Sequence, residues 1–204
     1  MERGRQTKSS SFRSERSDFS ELYLIWVGDF EKDERFARFH AQFDRNDFEP
    51  KTMSIHTHRN HISMGSKYGN PFGHYQLNST LCSCLIDPQH ATIRREPNGS
   101  FRLLDHSQSG TFVNYRRISN FADLSHGDII CFGHPDSTGI KRGKVVEPYY
   151  WDLKYKAFIG AQEDVLLKIG EALNKEEIDR TSVSLSIQLV IAMLEYEKLN
   201  TDTD

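Results

Sequence analysis

Apolar and polar residues alternate in short runs along most of the chain, which is the pattern of half-buried β-strands. Residues 21–27 form a run that is apolar after Glu21 and rich in branched and aromatic side chains, so a buried strand is predicted there. Two alternating runs flank Pro97-Asn98-Gly99 and predict a β-hairpin. Residues 80–86 form another apolar run that predicts a strand. Many short strands separated by turn residues predict a β-sandwich.

Helical spacing of apolar residues appears near both ends of this strand-rich region. Phe36, Phe39 and Phe43 follow a potential cap at Asp29, so a short helix is predicted near the N-terminus. The period becomes helical again beyond residue 160, where two further helices are predicted, around residues 165–173 and from about 181 to 199.

The second C-terminal helix is apolar around most of its circumference. Its apolar residues are Leu185, Ile187, Leu189, Val190, Ile191, Met193 and Leu194. A helix that packs on a sandwich buries one stripe, and a remaining apolar face is rarely left exposed on a soluble monomer. The pattern therefore predicts an interaction surface, in a homodimer or with a partner chain. The alternative is that both helices fold back on the sandwich and complete a monomeric core.

Composition and charge divide the chain into three parts. The chain has 204 residues, is 37% hydrophobic and carries a formal net charge of -3, which gives no general case for nucleic-acid binding. Residues 1–17 are rich in Ser and Arg, with five basic and two acidic side chains, and predict a disordered basic tail. We expect the sandwich to span residues 18–159 and a helical extension for dimer or partner contact to span residues 160–204.

The reactive residue types do not form a recognisable catalytic or metal-binding frame. Three cysteines favour a reducing, intracellular setting without a disulfide framework. His56, His58, Cys82 and Cys84 alternate as strand residues do and lack the Cys-x-x-Cys spacing common at zinc sites. No frame for a catalytic nucleophile or a glycine-rich phosphate loop occurs. We expect no enzyme activity, cofactor, metal or membrane anchor.

Three ordered strings between about residues 63 and 133 carry a family resemblance. They are HATI, SGTFVN and LSHGDIICFG. This order resembles the forkhead-associated (FHA) family, whose pattern runs from a Gly-Arg pair through Ser-x-x-His-Ala-x-Ile and Asn-Gly-Thr-Phe-Val-Asn-Gly to Leu-x-x-Gly-Asp-x-Ile-x-Phe-Gly. The resemblance implies a β-sandwich that is not an enzyme and whose loops at one end recognise phosphothreonine in partner proteins.

The resemblance also places the ligand-binding loops. They contain Gly65, Ser66, Lys67, Asp87, His90, Gln108, Ser109, Gly110, Thr111 and Asn114. It implies structural roles for His90 in a tight corner, for Gly110 in an unusual backbone conformation, and for Thr111 and Asn114 in fastening turns.

The sequence departs from the family at the positions that grip phosphate. Ser66 stands where the family has a phosphate-pairing arginine, although Lys67 follows it. Asp87 stands where the family has a phosphate-binding serine, and Gln108-Ser109 replaces Ser/Thr-Asn in the third loop. A phosphothreonine is nearly doubly negative and needs donors, whereas Asp87 offers acceptors and a like charge.

The sequence therefore predicts an adaptor in which a divergent FHA domain binds a protein partner in a nuclear or nucleo-cytoplasmic complex. Two alternatives stay open. One is a working phosphothreonine reader in which Lys67 and Ser109 supply the missing donors. The other is a nucleic-acid-binding factor that uses the basic tail, although nucleic acid is the less favoured partner because the basic residues lack interleaved aromatic side chains.

Overall fold

The computed structural model describes residues 20–28, 50–67, 73–148 and 151–201. The predicted basic tail and the predicted helix around Phe39 lie outside the described residues.

Two β-sheets form the body of the described chain. Their strands are β1 (Glu21–Trp26), β2 (Thr52–Ile55), β3 (His61–Gly65), β4 (His74–Gln76), β5 (Ala91–Arg95), β6 (Phe101–Asp105), β7 (Thr111–Val113), β8 (Arg116–Arg117), β9 (Phe121–Leu124), β10 (Ile129–Phe132) and β11 (Lys154–Gly160). The first sheet has the order β2-β1-β11-β10-β7-β8, and the second has the order β4-β3-β5-β6-β9. Neighbouring strands are antiparallel except for the parallel pair β3 and β4.

The two sheets pack face to face around one apolar core. Leu22 and Met53 of the first sheet and Ile62, Ile93 and Phe101 of the second are fully buried in the same cluster. Strand alternation directs every second side chain of each strand into this layer. The prediction of a mainly β sandwich is confirmed.

Two helices follow the sandwich, α1 (Gln162–Asn174) and α2 (Leu185–Thr201). Val165 and Ile169 of α1 are buried against Tyr23, Ile25 and Phe158 on the outer face of the first sheet. Strand β1 is therefore covered on both faces, which explains why its sequence is apolar without alternation after Glu21. The predicted pair of C-terminal helices is confirmed, with α2 starting a few residues later than expected because a 3-10 turn precedes it.

The strand predicted at residues 80–86 is wrong. The segment instead contains a short 3-10 helix, Ser83–Leu85. The backbone N–H of Thr80 donates to the Asp152 carboxylate at 2.6 Å, and the Ser79 hydroxyl donates to the same oxygen at 2.9 Å. A carboxylate brought from a distant part of the chain therefore satisfies groups that a strand neighbour would have bonded.

The cysteines also differ from expectation. Cys82 and Cys84 are exposed and form a disulfide, whereas Cys131 is buried and takes no part in a disulfide. The cysteine count predicted no disulfide framework, so the Cys82–Cys84 bond is a departure from that prediction.

The predicted hairpin at Pro97-Asn98-Gly99 is present between β5 and β6. Gly99 has a φ of 82°, and the N–H of Glu96 donates to the Ser100 carbonyl at 2.8 Å. No helix among the described residues is long and apolar enough to cross a membrane.

Candidate binding loops at one end of the sandwich

Three loops meet at one end of the sandwich, those that follow β3, precede β5 and join β6 to β7. The backbone N–H of Ser66 donates to the carbonyl of Asp87 at 3.0 Å. A Cβ on Gly65 would lie 2.3 Å from the carbonyl oxygen of Pro88, so only glycine allows this approach of the first two loops. Ser66 and Lys67 therefore lie beside the segment that carries Asp87.

The Asp87 carboxylate joins the second loop to the third. One of its oxygens accepts from the backbone N–H of Gln108 at 2.9 Å and from the Ser109 hydroxyl at 3.3 Å. The Ser109 hydroxyl also reaches the Leu85 carbonyl and is buried. The Asp87 side chain is 26% exposed, so its negative charge is open to solvent at the loop surface.

The buried His90 side chain also links the second loop to the third. Its Nδ1 accepts from the N–H of Asp87 at 3.2 Å, so Nε2 carries the proton and donates to the Gly110 carbonyl at 3.2 Å. Burial lowers the pKa of His90, an effect opposed by the nearby carboxylates of Asp105 and Asp87. His90 is therefore a neutral structural bridge, although its ring nitrogen lies 3.9 Å from the Asp87 carboxylate.

A hydrogen-bonded turn shapes the third loop. One Asp105 oxygen accepts from the Ser107 hydroxyl at 2.6 Å and from the Thr111 hydroxyl at 2.9 Å. The Ser107 hydroxyl in turn accepts from the Gly110 N–H at 2.8 Å. Thr111 thus fastens the loop through this hydrogen bond. The sequence did not reveal the roles of Asp105 and Ser107, although their spacing before Gly110 is the local signal of such a turn.

Arg117 is a third residue of the site that the sequence did not reveal. Its buried guanidinium donates to the carbonyl of Gln108 at 2.9 Å and to that of Ile140 at 2.7 Å. It therefore braces the third loop against the segment after β10. No local pattern distinguishes Arg117 from the exposed Arg116, because the difference arises only from strand alternation and the long-range fold.

Asn114 does not belong to the loop cluster. It lies at the far end of β7 with a φ of 49°. Its side chain donates to Asp128 at 2.8 Å and accepts from the N–H of Ile129 at 2.9 Å. It fastens the turn before β10, so its assignment to the ligand-binding loops is corrected to a structural role at the other end of the strand.

The loop end presents few donors to an anion. Lys67 and the Gln108 side chain are exposed, and Ser66 is half-buried. Among the described residues no ion pair joins Lys67 to Asp87, and the ring nitrogen 3.9 Å from the Asp87 carboxylate belongs to the neutral His90. In the described part of the loops, the surface therefore combines one free ammonium group with one carboxylate and has no guanidinium fork.

Comparison with known families agrees with this geometry. The FHA domain model matches residues 62–133, which run from β3 to the end of β10 and contain all three loops. This part of the chain is therefore similar to the FHA domain family. FHA domains are protein-interaction modules and not enzymes. No curated protein matches the chain.

Solved FHA domains resemble the chain at low sequence identity. The FHA-1 domain of Mycobacterium tuberculosis Rv1747 is 13% identical with a TM-score of 0.41, covering 69% of this chain and 97% of that one. An FHA domain of an Arabidopsis thaliana hypothetical protein is 15% identical with a TM-score of 0.41, covering 74% and 94%. The yeast Dun1 FHA domain, solved with a doubly phosphorylated peptide, is 17% identical with a TM-score of 0.37, covering 78% and 86%.

The candidate metal ligands do not come together in the part of the chain that the structure describes. Among the described residues, no three His, Cys, Asp or Glu side chains are placed to hold one metal ion. His56 instead contacts the Ser54 hydroxyl at 3.0 Å and Tyr23 at 3.3 Å on the outer face of β1 and β2.

Proposed function

We propose that the protein is a non-enzymatic interaction adaptor built on a divergent FHA domain, whose loop end binds simple phosphothreonine peptides weakly or not at all. The bonds of Asp87 carry this proposal. Its carboxylate already accepts hydrogen bonds from the Gln108 N–H and the Ser109 hydroxyl. Both donors belong to the loop that faces the ligand in this family. The position that should attract a phosphate oxygen therefore holds an oxygen of the chain itself.

The size of the effect supports a loss of phosphate recognition. A charge-assisted arginine contact contributes roughly 1.5–3 kcal/mol, and Ser66 cannot replace it. The Asp87 carboxylate adds a repulsion that acts in the same direction. A micromolar complex has a binding free energy of about -8 kcal/mol, so these two changes remove a large share of it.

Helix α2 supports a second part of the proposal, that the chain binds another protein through its C-terminal extension. Leu185, Leu189 and Met193 are exposed on this helix, and such apolar faces mark interaction sites. Together the two surfaces suit an adaptor in a larger assembly. We propose a nuclear or nucleo-cytoplasmic complex, on the ground that FHA domains are common in nuclear signalling, chromatin, transcription and RNA processing.

A functional phosphothreonine reader is the alternative. The exposure of Lys67 beside the second loop favours it, because the ammonium group is free to reach a ligand. A lysine is a point charge, however, and cannot form the two parallel bonds that a guanidinium makes with a phosphate.

A nucleic-acid-binding function has less support. Arg116 donates to the Gly143 carbonyl at 2.8 Å, and Arg142 donates to the Asn120 side chain at 2.9 Å, so both guanidinium groups take part in folding contacts. A steep fall of RNA or DNA affinity with rising salt would be the mark of this function.

Titration with matched phosphorylated and plain threonine peptides tests the proposal. We expect the native chain to show no phosphate-dependent binding in the low micromolar range. The double variant Ser66→Arg, Asp87→Ser should prefer the phosphorylated peptide by about tenfold or more, because it restores a fork of donors and removes the like charge.

Ser66→Arg alone is the matched control. The new guanidinium would pair with the Asp87 carboxylate and would therefore add little to the affinity for the phosphorylated peptide. Melting curves establish that each variant is folded. Low-micromolar, phosphate-dependent binding by the native chain would overturn the proposal in favour of the phosphothreonine reader.

A further inference from the structure

The exposed apolar side chains of the described residues concentrate on α2. They are Leu185 (83% exposed), Leu189 (64%), Val190 (42%), Met193 (57%) and Tyr196 (68%). The other large apolar residues with comparable exposure are Phe121, whose ring lies 4.3 Å from the Arg102 guanidinium, and Val145, which pairs with Arg116. Single exposed apolar residues are ordinary, whereas a contiguous face calls for a partner.

The opposite side of α2 is already occupied, so this face cannot turn inward. Ile191 is buried against α1, and Ile187 and Leu194 are half-buried beside it. A Cβ on Gly170 of α1 would lie 2.7 Å from a methyl group of Ile191, which shows how closely the two helices approach. The rotation of α2 about its axis is therefore set by the fold.

The exposed face has the spacing of a coiled-coil seam. Leu185, Leu189, Ala192 and Tyr196 are all exposed and follow one another at intervals of four, three and four residues. These are the intervals of the a and d positions of a heptad, whose side chains meet a second helix. The seam contains no charged residue, and a small alanine lies next to its centre.

We propose that a second copy of this chain packs antiparallel across this seam, which assigns an occupant to the interaction surface inferred under the proposed function and rests on it. The antiparallel register places Leu185 against Tyr196 of the partner subunit and Leu189 against Ala192 of the partner subunit. Each layer then combines a larger with a smaller side chain, as interdigitating cores require. A parallel pair would set alanine against alanine and tyrosine against tyrosine, which leaves one layer underfilled and another crowded.

The residues beside the seam are compatible with the antiparallel register. Ser186 would lie beside Met193 of the partner subunit, and Gln188 beside Glu195 of the partner subunit. Neither contact joins like charges, which is the feature that usually blocks a helix pairing. The helix macrodipoles also oppose each other, which is the favourable arrangement.

The size of the seam predicts a weak dimer. A helix of 17 residues is about 25 Å long, so one helix pair buries less than the roughly 800 Å² per partner of a standard interface. We therefore expect a reversible equilibrium between monomer and dimer at micromolar concentration and not a permanent dimer.

Sedimentation velocity of the full chain over about a hundredfold range of concentration tests the inference. The mean mass should rise from the 23.6 kDa of one chain toward about twice that value. Leu189→Glu should raise the dissociation constant by about tenfold or more, because it places a carboxylate in an apolar layer. Val145→Glu, on a comparably exposed residue away from α2, is the matched control and should leave the equilibrium unchanged.

Cysteine cross-linking tests the register. A mixture of the Leu189→Cys and Ala192→Cys chains should form a disulfide between positions 189 and 192, mapped by mass spectrometry, in preference to one between two copies of position 189. A mass that stays monomeric at every concentration would overturn the inference. So would a dimer that Leu189→Glu and Leu185→Glu, both folded by their melting curves, leave intact.

These outcomes are distinct from failure of the proposed function. A monomer that still shows no phosphate-dependent peptide binding would overturn only the dimer. Phosphate-dependent binding by a dimeric native chain would overturn only the proposal for the loops. Loss of folding in both helix variants would show that the seam is part of the monomer core and would also overturn the dimer.

Discussion

Gly110→Val is expected to lower the free energy of unfolding by about 3–6 kcal/mol, the largest effect of a single substitution in the loop end. Gly110 has a φ of 88°, a conformation that a β-branched residue adopts only with strain. Its added Cβ would also lie 2.9 Å from the Nε of the buried Arg117. Strain and overpacking therefore act together. Urea denaturation of the purified variant measures the loss.

Gly127→Val separates these two causes. Gly127 has the same φ of 88°, but a Cβ there has no heavy atom within 4 Å. We expect about 1–3 kcal/mol of destabilisation from backbone strain alone. Equal losses in the two variants would refute the packing role of Arg117. An unchanged Gly110→Val protein would show that Gly110 does not have the structural part that the FHA resemblance implies.

His90→Ala is expected to cost about 2–5 kcal/mol. The imidazole is fully buried, and its loss leaves a cavity as well as the N–H of Asp87 and the carbonyl of Gly110 without their partner. His106→Ala is the matched control, because that exposed ring makes one described hydrogen bond, to Thr92 at 3.1 Å. Chemical denaturation of both variants gives the comparison, and equal losses would contradict the bridging role of His90.

The same histidine should make stability depend on pH. Burial lowers the pKa of His90 in the folded state, so the unfolded chain binds its proton more readily. Stability should therefore fall as the pH drops below the unfolded value of about 6.5 and should stop falling below the folded pKa. His126 and His134 also have lowered pKa values and contribute to the native slope. The test is the difference between native and His90→Ala, whose slope should be shallower, and identical slopes would contradict it.

Local sequence signals predicted the parts of the fold that local physics decides. The turn residues at Asn98-Gly99 define a hairpin because their backbone preferences act within a few residues. The apolar run of β1 predicted a buried strand. The strand expected at residues 80–86 failed because Asp152, more than sixty residues away, bonds the backbone at Thr80.

The candidate site likewise has features that the sequence predicted and contacts that the sequence could not reveal. Family spacing predicted structural roles for Gly110 and His90, since those positions need a special backbone conformation or a compact shape. It could not reveal that Asp87 would bond the Gln108 N–H or that Arg117 would be the buried one of two adjacent arginines. Both contacts join different loops, and the periodicity of a single strand cannot predict them.

The placement of the helices on the first sheet also sets the unit that must fold. The FHA match ends at residue 133, yet β1 and β11, which pair from Glu21 with Gly160 to Trp26 with Tyr155, lie outside it in the first sheet. Helix α1 seals their outer face. The region that matches the FHA family is thus smaller than the unit that we expect to fold cooperatively. We expect removal of the segment before or after residues 62–133 to unfold the three loops in the same transition as the sheets. This should hold even though neither segment supplies a residue to those loops.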